Sequence, residues 1–369
     1  MSTVSTRCCS LRTKNQLTGS QTMSDEMKEI LTDAWRDPSA GGVYYSANGA
    51  EIGSERLNAM EGWDWTPALS HWAGNATTCM FAQALGCEPT TVGDRRWVKD
   101  LITDPAQVDD VKVPGPYTGW PGEVLEAMIE KLEDVPEGDL IRCPDVQSPL
   151  GVAELMWDQS FYVAFYEHPD AIHSLLDTIT RYQIGYIEEF NRQMGDRLNP
   201  CGFPAIWAEG PGTMIADDTM SMLSPEMHAE FSVPYINRIA DACGPIYYHS
   251  CTWAEKYFDN IHDIRNVRSY NWACGDSVDF GIIAEEFGGR ALLAPHLVID
   301  MHKEKGALNW DRDFEDEFDF FQYMVESTPD DAAIYFWFSN IREKGDIMER
   351  VYDYLDERGC TPQAQGITS

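Results

Sequence analysis

The chain has 369 residues, of which 43% are hydrophobic and 24% are charged, and this predicts a soluble globular protein with a substantial core. Its formal net charge is −34, from 61 acidic and 27 basic residues, which argues against nucleic acid and anionic membranes as partners because both bind clustered Lys and Arg. The sequence contains no run of about 18 apolar residues, the length that a membrane-spanning helix needs.

Two explanations of the acidity stay open: a strongly hydrated surface, as in salt-adapted proteins, and a site for a cationic ligand. The ten cysteines are scattered along the chain, without the dense spacing of a disulfide framework. We therefore predict a reducing, cytoplasmic environment, in which most of these thiols pack as small buried side chains.

The N-terminal residues 1–22 contain Arg7, Arg12 and Lys14 but no acidic residue, and they lack the apolar segment of a secretory signal. We interpret them as a disordered arm outside the fold, and the alternative is that translation starts at Met23. Residues 23–369 are predicted to form one domain. Its N-terminal part is irregular, since residues 41–78 are rich in Gly, Asn and Trp.

From residue 138 onward, short apolar runs alternate with segments of helical spacing. The predicted strands are Leu140–Cys143, Ala205–Ala208, Ile246–Tyr248, Val267–Trp272, Ala291–Leu293 and Ala333–Phe338. This alternation predicts an α/β protein with a parallel sheet covered by helices, and the number of units favours a (β/α)8 TIM barrel. A doubly wound open sheet is the alternative, although no G-x-G-x-x-G motif follows any strand.

In a (β/α)8 barrel the active site forms where the carboxyl ends of the strands meet the following loops. Several predicted strands end in side chains that could bind a metal or line a pocket: Asp145, Gln147, Glu209, His249, Cys251, Trp272, Cys274, His296 and Asn340. Imidazole, thiolate and carboxylate are the groups that bind zinc in proteins. Their recurrence in consecutive units therefore predicts a metal site.

His249 and Cys251 are the strongest pair of candidate ligands. Side chains two residues apart on extended backbone point to the same side, so the imidazole and the thiol would emerge together. Cys274, at the end of the next strand, is the predicted third ligand. Glu209 and His296 compete for a fourth position, which water or a substrate atom could also occupy. The alternative interpretation is a core histidine beside an inert cysteine.

A turn-rich stretch contains Asp217-Asp218 and leads to a helix for which Ser224 is the predicted cap. A carboxylate in this stretch could act as a general base or orient His249, whereas the alternative is a solvated turn in an acidic chain. We take Asp218 and Glu209 as candidate catalytic residues. The residues predicted to line a substrate pocket are Asp145, Gln147, Trp272, His296 and Asn340.

Several of these segments resemble the uroporphyrinogen decarboxylase superfamily. They are Leu223–Met227 through Pro234-Tyr235, Ile239-Ala240, His249-Ser250-Cys251, Asp217-Asp218, Ser148–Leu150 and His168–His173. The resemblance covers residues 138–295 and implies a (β/α)8 barrel. One branch of the superfamily decarboxylates a tetrapyrrole without a metal. The other resembles the corrinoid-dependent methyltransferases, in which zinc held by His-x-Cys and a further Cys activates a thiol.

The pair His249 and Cys251 matches the metal motif of the methyltransferase branch. The R-Q-A-G-R-Y motif with which the decarboxylases bind carboxylates does not occur in this sequence, and so acidic a chain is a poor host for a polyanionic tetrapyrrole. The last zinc cysteine of the methyltransferase branch has no counterpart, because the final strand region here is Phe336–Asn340. Cys274 would replace it, as in the similar cobalamin-independent methionine synthase, where the strand after the His-x-Cys pair supplies a ligand.

The resemblance thus implies a zinc-dependent methyltransferase that moves a methyl group from a corrinoid, a folate or a small methylated donor to a thiol. The expected partners are a small-molecule substrate, a corrinoid protein and a second copy of the chain. Two other functions stay open at this point. One is a metal-free decarboxylase or lyase on the same barrel, and the other is a module that binds a corrinoid or a small ligand without catalysis.

Overall fold

The fold is described from a computed structural model. The residues that the structure describes are 32–40, 42–47, 70–71, 77–201, 208, 210–274, 277–297, 314–338 and 345–357. The predictions for the arm 1–22, for Glu209 and for Asn340 lie outside these residues. No helix in the described part of the chain is long and apolar enough to cross a membrane.

The strands, in chain order, are β1 (Gly42–Ala47), β2 (Ser70–His71), β3 (Pro89–Val92), β4 (Arg95–Val98), β5 (Leu140–Arg142), β6 (Leu198–Asn199), β7 (Thr213–Ala216), β8 (Ile246–Ser250), β9 (Val267–Cys274), β10 (Leu292–Leu293), β11 (His296–Leu297) and β12 (Ala333–Phe338). The α-helices are Met80–Ala84, Gly119–Asp134, Pro149–Met156, Phe161–Glu167, Pro169–Met194, Pro225–Phe231, Val233–Cys243, Phe258–His262, Phe280–Phe287, Glu317–Ser327 and Gly345–Glu357.

Helix starts follow the local sequence closely. Ser148 precedes the helix Pro149–Met156, and its hydroxyl accepts a hydrogen bond from the Gly151 amide at 3.1 Å. Ser224 caps the helix Pro225–Phe231 in the same way, which confirms the predicted cap. In both helices proline occupies the first turn, where its missing N–H costs nothing.

The chain divides into two compact units. The terminal unit comprises Met1–Ser70, Pro204–Ala208 and Arg268–Ser369, and the central unit comprises His71–Phe203 and Glu209–Val267. In the terminal unit β1, β12, β10 and β9 pair in parallel in that order, and β11 adds to β9. The prediction of one domain over residues 23–369 stays a prediction.

The central unit contains the parallel pairs β5–β6 and β7–β8. The long helix Pro169–Met194 buries an apolar stripe, and two of its rings, Tyr182 and Tyr186, meet Phe81 edge-on at centroid distances of 5.7 and 5.2 Å. Such edge-to-face contacts are favourable because ring edges are positive and ring faces negative. The aromatic cluster anchors that helix in the core.

Strand β7 was not predicted from the sequence, which suggested a turn-rich stretch at this point. Gly212 precedes the strand with a φ of +143°, and a Cβ there would lie 2.5 Å from the carbonyl oxygen of Pro245. Glycine therefore permits the close approach that lets β7 pair with β8. Asp217-Asp218 directly follows β7 and therefore lies at a strand end.

Parallel strands and helices confirm the prediction of an α/β fold. Five of the six predicted strands are found, at β5, β8, β9, β10 and β12. Most of the sixth, Ala205–Ala208, lies outside the described residues. The sheets formed by the described strands are not closed, so the (β/α)8 barrel is not confirmed. Closure requires pairing between strands far apart in the sequence, which local alternation does not specify.

Candidate metal centre

Three extended segments of the central unit end side by side. Gln147 pairs with Ala216 in a parallel bridge, and Ala216 pairs with His249 in the β7–β8 register. The Ser148 amide donates to the Ala216 carbonyl at 2.7 Å, and the Asp217 amide donates to the His249 carbonyl at 2.7 Å. The polar residues that follow these positions are therefore gathered at one edge.

Asp218, His249 and Cys251 form a compact cluster at this edge, with one potential ligand atom from each lying within 4.8 Å of the others. His249 Nε2 is 3.4 Å from Cys251 Sγ and 3.4 Å from Asp218 Oδ1. The Cys251 amide donates to Asp218 Oδ1 at 2.7 Å. The imidazole and the thiol thus emerge together, as their spacing predicts, and a carboxylate completes a set of three.

The cluster combines a buried imidazole with an exposed thiol. His249 is only 6% exposed, and Asp218 is half-buried. Among the described cysteines, none of which forms a disulfide, Cys251 is exposed, whereas the others are buried: Cys79, Cys87, Cys143, Cys201, Cys243 and Cys274. A ligand can therefore reach the cluster from the side of Cys251.

The two separations from His249 Nε2 suit a tetrahedral zinc ion. Zinc binds imidazole nitrogen at about 2.0–2.1 Å, thiolate sulfur at about 2.3 Å and carboxylate oxygen at about 2.0–2.2 Å, which separates N from S by about 3.6 Å and N from O by about 3.4 Å. Both observed separations from His249 Nε2 are 3.4 Å. Three protein ligands with an open fourth position are typical of catalytic zinc.

The electrostatics of the cluster favour an ion pair when no metal is bound. Burial opposes a positive charge on His249, but its interactions with Asp218 and Cys251 outweigh this and raise its pKa to about 10. Burial also disfavours the charged form of Asp218, yet the hydrogen bond and charge of His249 lower its pKa. The metal-free site therefore pairs an imidazolium with a carboxylate at neutral pH.

We expect the metal-free protein to lose stability as the pH rises from 6.5 to about 10. Because the pKa of His249 is raised from 6.5 to about 10, its stabilising contribution is fully present below 6.5 and disappears as the pH passes through about 10. Asp218, whose pKa is lowered from 3.8, contributes above that value and is lost in acid. Thermal unfolding with a chelator would measure this. His249→Gln should flatten the alkaline slope, and equal slopes for both proteins would contradict the prediction.

Asp145 and Gln147, which were predicted to line a pocket, lie next to the cluster. Gln147 Nε2 donates to Asp145 Oδ1 at 3.4 Å. Burial raises the pKa of Asp145, His249 acts against that shift and Asp218 adds to it. These interactions place the Asp145 carboxyl group near the same two side chains.

The other predicted site residues belong to the terminal unit or lie outside the described residues. Trp272 and Cys274 are buried in β9, and burial raises the pKa of the Cys274 thiol well above its ordinary value. His296 lies in β11, paired with Ala273. Cys274 is not a member of the three-residue cluster, so its role as third ligand stays a prediction.

Next to the cluster lies a group of buried polar residues, of which the sequence analysis singled out only Asp217. Asp217 is fully buried and accepts hydrogen bonds from His228, Ser232 and Tyr248. The one signal in the sequence is the position of His228, three residues before the buried Phe231 on the same helix face. A histidine at such a position needs a buried polar partner.

A solved structure shares this fold. It is a methyltransferase from Methanosarcina mazei, similar to this chain with a TM-score of 0.60 and 16% sequence identity, over 89% of this chain and 98% of that chain. At this identity the similarity establishes the fold alone. No protein-family model matches the chain, and no curated protein matches it. Membership of the uroporphyrinogen decarboxylase superfamily therefore stays a prediction.

Proposed function

We propose that this protein is a zinc-dependent methyltransferase that methylates a thiol. The observation that carries the proposal is the cluster of Asp218, His249 and Cys251, in which the two separations from His249 Nε2 suit zinc. Methyl transfer is supported by the similar fold of a methyltransferase and by the His-x-Cys pair. We further propose that the described strands belong to a (β/α)8 barrel and that the protein acts in the cytoplasm.

His249 and Cys251 would hold the ion, with the Asp218 carboxylate as third ligand and the exposed side of Cys251 open to the substrate. When bound, zinc supplies the positive charge that keeps a coordinated thiol in its thiolate form at neutral pH. Fixing Asp218 against the Cys251 amide orients the carboxylate toward His249. Glu209 remains our predicted group for proton transfer.

The thiolate is the nucleophilic form of the acceptor. Its sulfur would attack the methyl carbon, an S–C bond would form, and the electron pair of the broken bond would leave with the donor. The donor is one of three kinds of molecule: a corrinoid carried by a partner protein, a folate, or a small methylated compound. Asp145, which interacts with His249 and Asp218, and Gln147, which donates a hydrogen bond to Asp145, would line the path of the acceptor.

The test is an assay for an S-methyl product with zinc-loaded protein, a small thiol, and methylcobalamin, a methylated folate or a quaternary ammonium compound as donor. We expect turnover with one donor, loss of at least about 100-fold on removing the metal, and recovery when zinc is restored. Turnover that survives strong chelators would contradict the proposal. Zinc binding without product from any donor would favour a binding module instead.

The same cluster also supports a second candidate function. The ion pair between His249 and Asp218 forms without a metal, which is compatible with a metal-free decarboxylase or lyase of the uroporphyrinogen decarboxylase type. A carboxylic acid substrate that loses carbon dioxide in the presence of a chelator would establish this alternative.

A further inference from the structure

Asp217 and Asp218 are neighbours in the sequence, but their side chains have different surroundings. Asp218 faces His249 and Cys251, whereas Asp217 is 0% exposed. The Asp217 carboxylate accepts hydrogen bonds from His228 Nε2 at 2.8 Å, from Ser232 Oγ at 3.0 Å and from the Tyr248 hydroxyl at 3.2 Å. Three donors compensate the cost of removing this group from water.

A fourth residue fixes the orientation of the His228 ring. Asn260 Nδ2 lies 3.1 Å from His228 Nδ1 and donates to the Pro225 carbonyl at 2.7 Å. Because an amide nitrogen can only donate, His228 Nδ1 is the acceptor and the ring proton is on Nε2, facing Asp217. Asn260, His228 and Asp217 thus form a buried, directed chain of hydrogen bonds.

This chain of hydrogen bonds leads to the backbone of the candidate site. The Asp217 amide donates to the His249 carbonyl at 2.7 Å, and on the other side of Asp218 the Thr219 hydroxyl donates to Glu154 Oε2 at 2.9 Å. The residue between these two attachments is Asp218. Its backbone is therefore held from both sides, at the start of the 3-10 helix Asp218–Met222.

We propose that Asp217, oriented by His228 and Asn260, is a positioning residue that preorganises the Asp218–His249–Cys251 cluster for its ligand. The inference rests on the proposed zinc site and adds residues that hold the proposed zinc ligands in position without contacting the ion. Ligands held in place before binding lose less freedom when the ion arrives. Partners that orient metal ligands typically change metal affinity by about 10- to 100-fold when they are mutated.

The first measurement is the zinc dissociation constant, from competition with a chromophoric chelator. His228→Phe keeps an aromatic ring but removes the donor to Asp217, and we expect zinc affinity to fall by about 10- to 100-fold. His228→Gln places an amide donor near the former Nε2 and should restore affinity close to that of the wild type. Ser232→Ala removes one of three donors and should have a smaller effect in the same direction.

Thr213→Val provides the matched control. Thr213 is buried in β7, the strand that leads to Asp217, and its hydroxyl donates to the carbonyl of the next residue, Met214. Valine has almost the same shape, so this variant perturbs the same strand without touching the hydrogen-bond chain. We expect wild-type zinc affinity. A general loss of stability would lower affinity in the control as well, and rescue by His228→Gln would be absent.

The second measurement needs no metal, namely amide hydrogen exchange of Asp217 and Cys251 in the chelated protein. Both amides donate within the site, and His228→Phe should accelerate their exchange by about 10-fold or more, because local opening becomes easier. Faster exchange would support the inference even if the wild-type protein bound no zinc. The absence of zinc binding would contradict only the proposed function. If neither the exchange rates nor the zinc affinity changed, the inference would be overturned. If His228→Phe does not fold, the same two measurements on Ser232→Ala take its place.

Discussion

His249→Ala and Cys251→Ser are each expected to reduce the zinc content from about one ion per chain to nearly none. His249 Nε2 and Cys251 Sγ, the two potential ligand atoms, lie 3.4 Å apart at the carboxyl end of β8. Removing either leaves two protein ligands, too few to hold zinc against dialysis. Elemental analysis of protein purified without chelators would measure the loss, and methyl transfer should fall in parallel.

Matched controls separate this effect from a general change in metal affinity. His262→Ala and Cys243→Ser make the same substitutions on two helices of the central unit, at residues that are not members of the proposed zinc cluster. Both controls should retain about one zinc ion per chain. If His249→Ala or Cys251→Ser also retained it, the proposed ligands would be wrong.

Asp218→Asn is expected to weaken zinc binding by about 100-fold or more, whereas Cys274→Ser should leave it unchanged. Asparagine keeps an oxygen for the Cys251 amide but removes the negative charge beside His249, and neutral amides are poor zinc ligands. Competition with a chelator would measure both dissociation constants. Full affinity in Asp218→Asn together with a large loss in Cys274→Ser would restore Cys274 as the third ligand.

The pair His249 and Cys251 could be predicted from the sequence because the geometry of one strand determines it. Two residues of spacing on extended backbone bring two side chains to the same side, whatever the rest of the fold does. The preference of cysteine for buried positions could also be anticipated. Cys251 departs from it, and this exposure marks it as the accessible thiol of the site.

The third member of the cluster was harder to predict, because it depends on a strand that the sequence did not indicate. Asp218 was predicted as a catalytic residue and not as a metal ligand, and with 61 acidic residues in the chain a solvated turn at Asp217-Asp218 stayed open as the alternative. Because β7 ends at Ala216, the two aspartates directly follow a strand. At the start of the 3-10 helix, Asp217 is buried and Asp218 belongs to the cluster. Cys274 was predicted as the third ligand because it lies at the end of the next strand, and that choice stays a prediction.

X-ray absorption at the zinc edge of the loaded wild-type protein tests the central claim most directly. Coordination by Asp218, His249 and Cys251 predicts one sulfur at about 2.3 Å, with the remaining ligands being nitrogen or oxygen at about 2.0–2.2 Å. A thiol acceptor, once added, should contribute a second sulfur. Two sulfurs before the acceptor is added, or a protein that takes up no zinc, would contradict the account.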